Sequence, residues 1–203
     1  MKVTFIHEEK TLESPPNRLL PEPGHRSSFS GLIAQLFDKS RKASKAAVML
    51  TSPHRKAGVS FICTSLAAEL AVQGEKVLLL DAHALLIVRA LSSRAVMGLC
   101  KRIGPHPLWV LGMEEVAGWC AGSEDKSNAI ATLLRDLERE FSCVLIDAPA
   151  LSVGSDANLL ATSVYGTVIV ARTNLTRNEE LKRACETLTT FGGRVLGSVF
   201  NAH

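Results

Sequence analysis

Continuous apolar runs alternate along this chain with segments whose apolar residues recur every three or four positions. The runs that predict buried strands lie at 46–52, 76–80, 107–113, 141–150, 166–172 and 194–201. The segments with helical periodicity lie at 29–37, 60–73, 85–99, 129–140, 158–162 and 177–191. Strands without polar alternation are typical of parallel sheets that helices cover on both faces. The pattern therefore predicts an α/β fold, a three-layer, doubly wound and mostly parallel sheet.

The pattern also divides the chain into an arm and one domain. Residues 1–27 contain four prolines among polar residues, which disfavours packed structure and predicts a flexible or strapped arm. Residues 28–203 form the predicted domain. Its first helix places Phe29, Ile33 and Phe37 on one face. That face packs either on the domain's own sheet or on a partner, and the sequence leaves both open.

The residues that could bind a ligand lie where the predicted strands end, because ligands of such sheets bind beyond the carboxyl ends of the strands. The loop after the first strand reads "TSPHRKAGVSF", close to the phosphate-binding pattern G-x-x-x-x-G-K-S/T. Gly58 and Ser60 match the second glycine and the hydroxyl. Pro53 occupies the position of the first glycine, and Val59 that of the lysine. The match is partial, and the charged residue is the missing part.

Two interpretations of this loop stay open. A helix N-terminus still follows it and favours an anion, and Arg55 or Lys56 could supply the lost charge. A charge-assisted contact contributes about 1.5–3 kcal/mol, so losing it weakens binding by roughly one to two decades. Alternatively, the loop only connects a strand to a helix. Phosphoryl transfer would suffer more than binding, because the lysine also stabilises charge in the transition state.

Two acidic residues end neighbouring strands. Asp147 closes "VLIDAP", where an acidic residue orients Mg²⁺ and its waters, and Asp81 closes "VLLLDA". A single aspartate after a strand can be no more than a helix cap. Two of them at the same sheet edge as Gly58 and Ser60 indicate a magnesium site.

Composition narrows the classes of protein. The net charge of +3 comes from interspersed basic and acidic residues, so nucleic-acid binding is not expected. The five cysteines are scattered and form no Cys-x-x-Cys pair, which predicts reduced thiols in a cytoplasmic protein. The N-terminus lacks the apolar core of a signal peptide, and no apolar run reaches the ~18 residues of a membrane span.

The stretches "VLLLDA", "FSCVLIDAPALSVGSDANLL", "GTVIVARTNLTRNEEL" and "RVLGSVFN" resemble MinD/ParA-type P-loop ATPases. Within that class they are most similar to the cytoplasmic domain of bacterial tyrosine kinases (BY-kinases) of capsule and exopolysaccharide synthesis. The resemblance covers about residues 29–201. It implies that Asp81 and Asp147 serve Mg²⁺ and catalysis, with Ser60 as a further magnesium ligand. It also places Asn201 near the base of ATP or ADP, with Arg172 nearby.

The departures from this family concern its charged residues. Family loops read roughly T-S-x-x-x-G-x-G-K-S-T, and here Lys56 takes a glycine position and Val59 the lysine position. Phe61 replaces the last threonine, and His83 replaces a second aspartate after Asp81. The family's kinases phosphorylate a tyrosine-rich tail, whereas this chain contains one tyrosine, Tyr165.

The resemblance and these departures together predict a non-catalytic regulator or scaffold of exopolysaccharide or capsule biosynthesis, with weak or no binding of ATP or ADP and Mg²⁺. Its expected partner is a membrane-bound polysaccharide co-polymerase or an active kinase paralogue, and a homo-oligomer is a further option. It would be cytoplasmic, reaching the inner membrane through a partner. The alternative is an atypical ATPase or tyrosine kinase in which Arg55 or Lys56 replaces the lysine. A partitioning or positioning ATPase is a third, weaker hypothesis.

Overall fold

An eight-stranded sheet forms the centre of the computed structural model, which describes residues 2–4, 31, 33, 46–117 and 128–202. The strands are β1 (Lys2–Thr4), β2 (Ala46–Thr51), β3 (Val77–Asp81), β4 (Lys101–Arg102), β5 (Leu108–Leu111), β6 (Cys143–Asp147), β7 (Gly166–Arg172) and β8 (Val195–Asn201). Their spatial order is β1-β8-β7-β2-β6-β3-β5-β4. All neighbours are parallel except β1 and β4, which lie antiparallel at the two edges. The predicted fold class is confirmed.

Six helices connect the strands in the described part of the chain. They are α1 (Val59–Val72), α2 (Ala82–Val88), α3 (Ser93–Leu99), α4 (Ala129–Glu140), α5 (Asp156–Ala161) and α6 (Asn178–Thr190). The single helix predicted over 85–99 is wrong, because α2 ends at Val88 and α3 starts afresh at Ser93. Ser92 begins the second helix by accepting a hydrogen bond from the backbone N–H of Ala95 at 3.3 Å.

The core lies on both faces of the sheet, as a three-layer fold requires. One face packs against α1 through side chains such as Ile62, Leu66 and Leu70. The other face packs against α2 to α6, in a cluster that includes Leu85 and Leu134. The central strand β2 contributes to both clusters, since Val48 points to the first and Met49 to the second. Each face therefore removes its own apolar surface from water.

Most of the two N-terminal segments predicted from the sequence lies outside the described residues. Of the predicted arm 1–27, only Lys2–Thr4 are described, and they form β1 on the edge of β8. Of the helix predicted at 29–37, only Gly31 and Ile33 are described, both helical, and Ile33 packs partly buried against the α1 side of the core.

Within the described parts of the chain, no helix combines the length and the apolar character needed to cross a bilayer.

The parallel register aligns the polar strand ends. Asp81 lies opposite Asp147 across β3 and β6, and Arg172 lies opposite Asn201 across β7 and β8. The loop between β2 and α1 leaves the sheet between these two pairs. The predicted site residues therefore share one edge of the sheet.

Candidate functional site

The loop between β2 and α1 has a backbone with two left-handed residues. Lys56 has a φ of 66° and Gly58 a φ of 89°. A left-handed conformation costs a non-glycine residue about 1–2 kcal/mol, so contacts around Lys56 must hold it there. Gly58 is the residue just before α1, whose first N–H groups point back toward the loop.

Two side chains from the ends of β7 and β8 hold the loop. Asn201 is buried, and its Nδ2 donates a hydrogen bond to the backbone oxygen of Ala57 at 3.0 Å. Arg172 Nη1 donates to the backbone oxygen of Lys56 at 3.3 Å. A Cβ atom on Gly58 would lie only 2.2 Å from Asn201 Nδ2. Glycine is therefore required at position 58 by a close approach as well as by its φ.

On its other side the loop is fastened to the segment after β6. Leu151 N–H donates to the backbone oxygen of Ser52 at 2.8 Å, and Ser152 N–H donates to that of Pro53 at 3.2 Å. Thr51 Oγ1 donates to the backbone oxygen of Pro149 at 2.6 Å. The loop conformation is thus fixed from both sides by the protein's own groups.

His54 joins the loop to the start of α6. Its Nε2 lies 3.2 Å from Glu180 Oε1. Glu180 also accepts a hydrogen bond from the backbone N–H of Arg177 at 2.9 Å. This hydrogen bond, and next the charge of His54, lower the pKa of the Glu180 carboxyl. Glu180 is not among the site residues predicted from the sequence. Its only local signal is an acid in the first turn of a helix.

The position of the family lysine carries no charge and no polar atom. Val59 is buried, and its side chain belongs to the core cluster beneath α1. Arg55 and Lys56, the two predicted replacements, are exposed on the loop. The positive charge of this loop therefore lies at its tip and not at the first residue of α1.

The acidic residues lie together on the other side of the loop. Ser60 makes a side-chain hydrogen bond with Asp147, and Asp81 is the next residue along the edge. Burial raises the pKa of Asp147, and the charge of Asp81 raises it further, while the hydrogen bond with Ser60 lowers it. Two carboxylates and a hydroxyl are oxygen ligands that suit Mg²⁺.

Asp81 also caps a helix, in addition to any role in binding a cation. Its Oδ1 accepts hydrogen bonds from the backbone N–H groups of His83 and Ala84, both at 2.9 Å, and so caps α2. His83, which stands where the family has a second aspartate, places Nδ1 3.2 Å from Asp156 Oδ2 at the start of α5. This protein therefore has a His–Asp pair at the position where the family has its second aspartate.

These residues do not complete a metal site unaided. In the described residues, no group of three or more His, Cys, Asp and Glu side chains could hold a metal ion. Mg²⁺ commonly binds one or two carboxylates and takes its other ligands from water and from the phosphates of a substrate. Ser60, Asp81 and Asp147 fit that mode of binding, in which the nucleotide brings part of the coordination.

A cavity of about 490 Å³ lies away from this edge, between the α2–α3 connection and α4. Its lining includes Leu91, Ser92, Thr132 and Asp136, and none of the predicted site residues. No pattern in the sequence indicates this cavity, because its shape depends on where two separate helices end.

Comparison with known proteins supports the fold and the relationship. No family model matches the chain. The chain is 33% identical over 75 residues to a putative tyrosine-protein kinase CapB of Staphylococcus aureus. That match spans 37% of this chain and 33% of the relative, so it covers about a third of the relative's length.

Solved structures resemble a much larger share of the chain. The kinase domain of the Escherichia coli tyrosine kinase ETK matches with a TM-score of 0.70 and 19% identity, covering 87% of this chain and 75% of that one. The septum site-determining protein MinD of Pyrococcus horikoshii, complexed with Mg-ADP, matches with a TM-score of 0.58 and 15% identity, covering 76% and 69%. The resemblance noted in the sequence is confirmed.

Proposed function

We propose that this relative of the capsule tyrosine kinases, with the fold of MinD-like P-loop ATPases, is a non-catalytic regulator or scaffold of exopolysaccharide or capsule biosynthesis. It binds a magnesium nucleotide weakly and transfers no phosphoryl group. It acts in the cytoplasm on a membrane-bound polysaccharide co-polymerase or on an active kinase paralogue. The fold serves as the binding module for that partner.

The buried side chain of Val59 is the observation that carries this proposal. A lysine at this position contacts the outer phosphates and stabilises charge that develops during transfer. An isopropyl group packed into the core supplies neither contact. Losing a charged contact costs about 1.5–3 kcal/mol of binding, roughly one to two decades. The loss in transfer is larger, because the same charge acts in the transition state.

The other features of the site favour weak binding of a magnesium nucleotide over a complete loss of binding. The loop keeps its left-handed turns, Gly58 keeps the close approach to Asn201, and Ser60 keeps its hydrogen bond with Asp147. These features preserve the backbone N–H groups at the start of α1 and a place for Mg²⁺.

One observation favours the catalytic alternative. Lys56 stands where the family loop has glycine and adopts a left-handed conformation, and the hydrogen bond from Arg172 to its backbone oxygen helps to hold it at the tip. In that alternative, Lys56 or Arg55 supplies the missing charge, and Asp81 and Asp147 hold the metal.

Titration calorimetry with Mg-ATP and Mg-ADP tests the two functions. The parent protein should bind weakly, Asp147→Ala should bind less, and Val59→Lys should bind about 10- to 100-fold more tightly than the parent, the gain expected from one charged contact. Val72→Lys is the matched control, since it makes the same change at an exposed position at the far end of α1. Val72→Lys should bind as the parent does.

The opposite result would establish the catalytic alternative. Micromolar binding by the parent, lost in Lys56→Ala or Arg55→Ala and accompanied by nucleotide turnover that Asp147→Asn abolishes, would overturn the proposal. A test in the cell addresses the scaffold role. Deleting the gene should alter the amount or length of the polysaccharide, and the Asp81→Asn/Asp147→Asn variant should restore it as well as the parent.

A further inference from the structure

The candidate metal ligands and the residues that hold the phosphate-type loop lie on opposite sides of that loop. Ser60 and Asp147 meet on the side of β6. Arg172 and Asn201 contact the loop from the ends of β7 and β8, on the other side of β2. Because Mg²⁺ bridges the outer phosphates of a nucleotide, these phosphates belong on the side of Asp147. The sugar and the base therefore extend toward the ends of β7 and β8.

An exposed aromatic ring lies beside that second side of the loop. Phe61 is the third residue of α1, and its side chain is 57% exposed. It follows Gly58 by three positions, and residues three apart are neighbours on a helix surface. Gly58 is the residue that approaches Asn201 most closely. Since helical side chains lean toward the N-terminus of their helix, we expect the Phe61 ring to lean back toward this contact.

A second exposed apolar side chain comes from the turn after β7. Leu175 is 64% exposed. Its N–H donates to the backbone oxygen of Arg172 at 3.1 Å, and Thr173 N–H donates to that of Asn201 at 2.8 Å. These two hydrogen bonds fix the turn to the same strand ends that hold the loop. The side on which the nucleoside extends thus carries two apolar side chains, each on a fixed element.

Packing within the domain does not explain why these two side chains are apolar. Neither Phe61 nor Leu175 belongs to the two core clusters of the described residues. A planar base lying over them would remove their apolar surface from water. Every base has a π face, so stacking on an aromatic ring requires no precisely placed hydrogen bond. A purine has a larger face than a pyrimidine and covers more of this surface.

We propose that Phe61 is a stacking platform for the base of a purine nucleotide, with Leu175 at the rim of the same subsite. This inference rests on the nucleotide binding of the proposed function and adds the source of its affinity. Because Val59 supplies no charge to the outer phosphates, the base and the inner phosphates provide the recognition. Mg-ATP and Mg-ADP should therefore bind with similar affinity, and both should bind more tightly than Mg-CDP.

Alanine substitution tests the platform by titration calorimetry. Phe61→Ala should weaken the binding of Mg-ADP about 5- to 150-fold, the loss expected when one stacking aromatic residue is removed. Magnesium pyrophosphate has no base and should bind equally to the parent and to Phe61→Ala. Phe191→Ala is the matched control, because Phe191 is 55% exposed at the far end of α6 and should bind Mg-ADP as the parent does.

A tryptophan in place of the phenyl ring gives a spectroscopic readout of stacking. Phe61→Trp keeps an aromatic platform and should retain the affinity of the parent for Mg-ADP. A base stacked on an indole quenches its fluorescence, so Mg-ADP should quench Phe61→Trp more than the parent, whose two native tryptophans give the background. Phe191→Trp should show only that background. This measurement reaches the high nucleotide concentrations that weak binding requires.

The outcomes distinguish a failure of the platform from a failure of the proposed function. Equal affinity of the parent and Phe61→Ala for Mg-ADP would overturn the platform and leave nucleotide binding in place. Quenching of Phe61→Trp that does not exceed that of Phe191→Trp would do the same. If neither the parent nor Val59→Lys binds any nucleotide, the nucleotide binding in the proposed function is wrong, and the platform is excluded with it.

Discussion

Gly58 is the residue at which the phosphate-type loop depends most directly on the rest of the domain. Its φ of 89° lies in the left-handed region, and the space for a Cβ is already taken by the amide of Asn201. Two independent physical reasons therefore require glycine, one from the backbone and one from packing. Gly74 has nearly the same φ, 88°, but open space around it, so the two positions can be compared directly.

Gly58→Ala should destabilise the protein more than Gly74→Ala. The left-handed conformation alone costs alanine about 1–2 kcal/mol, and this cost applies to both variants. At position 58, Asn201 must also move and give up its hydrogen bond to Ala57, which adds about 1–3 kcal/mol for buried polar groups. Chemical denaturation of both variants measures the difference in free energy of unfolding. Equal losses would mean that Asn201 does not hold the loop.

The charged form of Asp147 lowers the stability of the folded protein at neutral pH. Burial raises the pKa of its carboxyl, and the neighbouring charge of Asp81 raises it further. The folded protein therefore holds the Asp147 proton more tightly than the unfolded chain does. This contribution to stability is present below the ordinary pKa of 3.8 and is lost as the pH rises through the raised pKa of the folded state. Such a cost is common at sites kept for binding.

Asp147→Asn should therefore have a higher free energy of unfolding than the parent at neutral pH. The difference should shrink as the pH falls through the raised pKa and below 3.8, where the parent carboxyl becomes protonated in both states. Denaturation curves across this pH range measure it. Asp136→Asn on α4 is a control, because it removes an exposed ion pair with Arg139 and should change stability by only about 0–1 kcal/mol. A difference in free energy of unfolding that does not depend on pH would contradict the raised pKa of Asp147.

At the scale of elements, Asp81 links the candidate site to a helix. Its Oδ1 caps α2 through two backbone N–H groups. The carboxylate also faces Asp147 across the sheet register. A single side chain thus stabilises local structure and contributes charge to the site, and substitutions can separate these two roles.

Asp81→Ala should destabilise the fold by about 0.5–2 kcal/mol, the usual cost of losing an N-cap. Asp81→Asn keeps an oxygen that can accept the same two hydrogen bonds and removes the repulsion with Asp147, so it should change stability little. Both variants should lose Mg²⁺-dependent nucleotide binding, which calorimetry measures alongside thermal unfolding. If Asp81→Asn is as unstable as Asp81→Ala, the charge of Asp81 explains its contribution to stability, and its capping hydrogen bonds do not.

The central elements were predictable from the sequence because their signals are local. The run 166–172 has an apolar centre, Val168–Ala171, and β7 has the same bounds as the predicted strand. The periodicity over 85–99 was misleading, because apolar residues continue through a turn at residues 89–92. Local groups end α2 and start α3 there: Arg89 Nη1 donates to the backbone oxygen of Leu86, and Ser92 caps α3. The edge strands β1 and β4 are too short to carry a pattern.

The sequence predicted which strand ends carry the candidate site residues. It did not predict which of these residues contact one another. The rule that parallel strands end at one edge brought together Asp81, Asp147 and the loop before α1. It could not predict that His54 meets Glu180 or that Arg172 contacts the backbone of Lys56. These partners lie far apart in sequence, and the geometry of both supporting elements decides whether they meet. The roles of these residues toward a nucleotide stay predictions.

For the whole molecule, the strand order predicts a gradient of stability from the centre of the sheet to its β1 edge. The central strand β2 lies between two parallel neighbours, and its Val48 and Met49 are fully buried. β8 lies between β7, which pairs with it over six residues, and β1, which pairs over three and is joined by a long connection. Opening of β1 should therefore cost much less free energy than opening of the core.

Native-state hydrogen exchange should show this gradient as an alternation along β8. Successive N–H groups point to opposite neighbours, so those bonded to β7 should exchange slowly and those bonded to β1 quickly. In β2 both sets are bonded to long parallel strands, and no such alternation is expected. Residue-resolved exchange by NMR measures both strands in one sample. Uniformly slow exchange along β8 would contradict the gradient of stability.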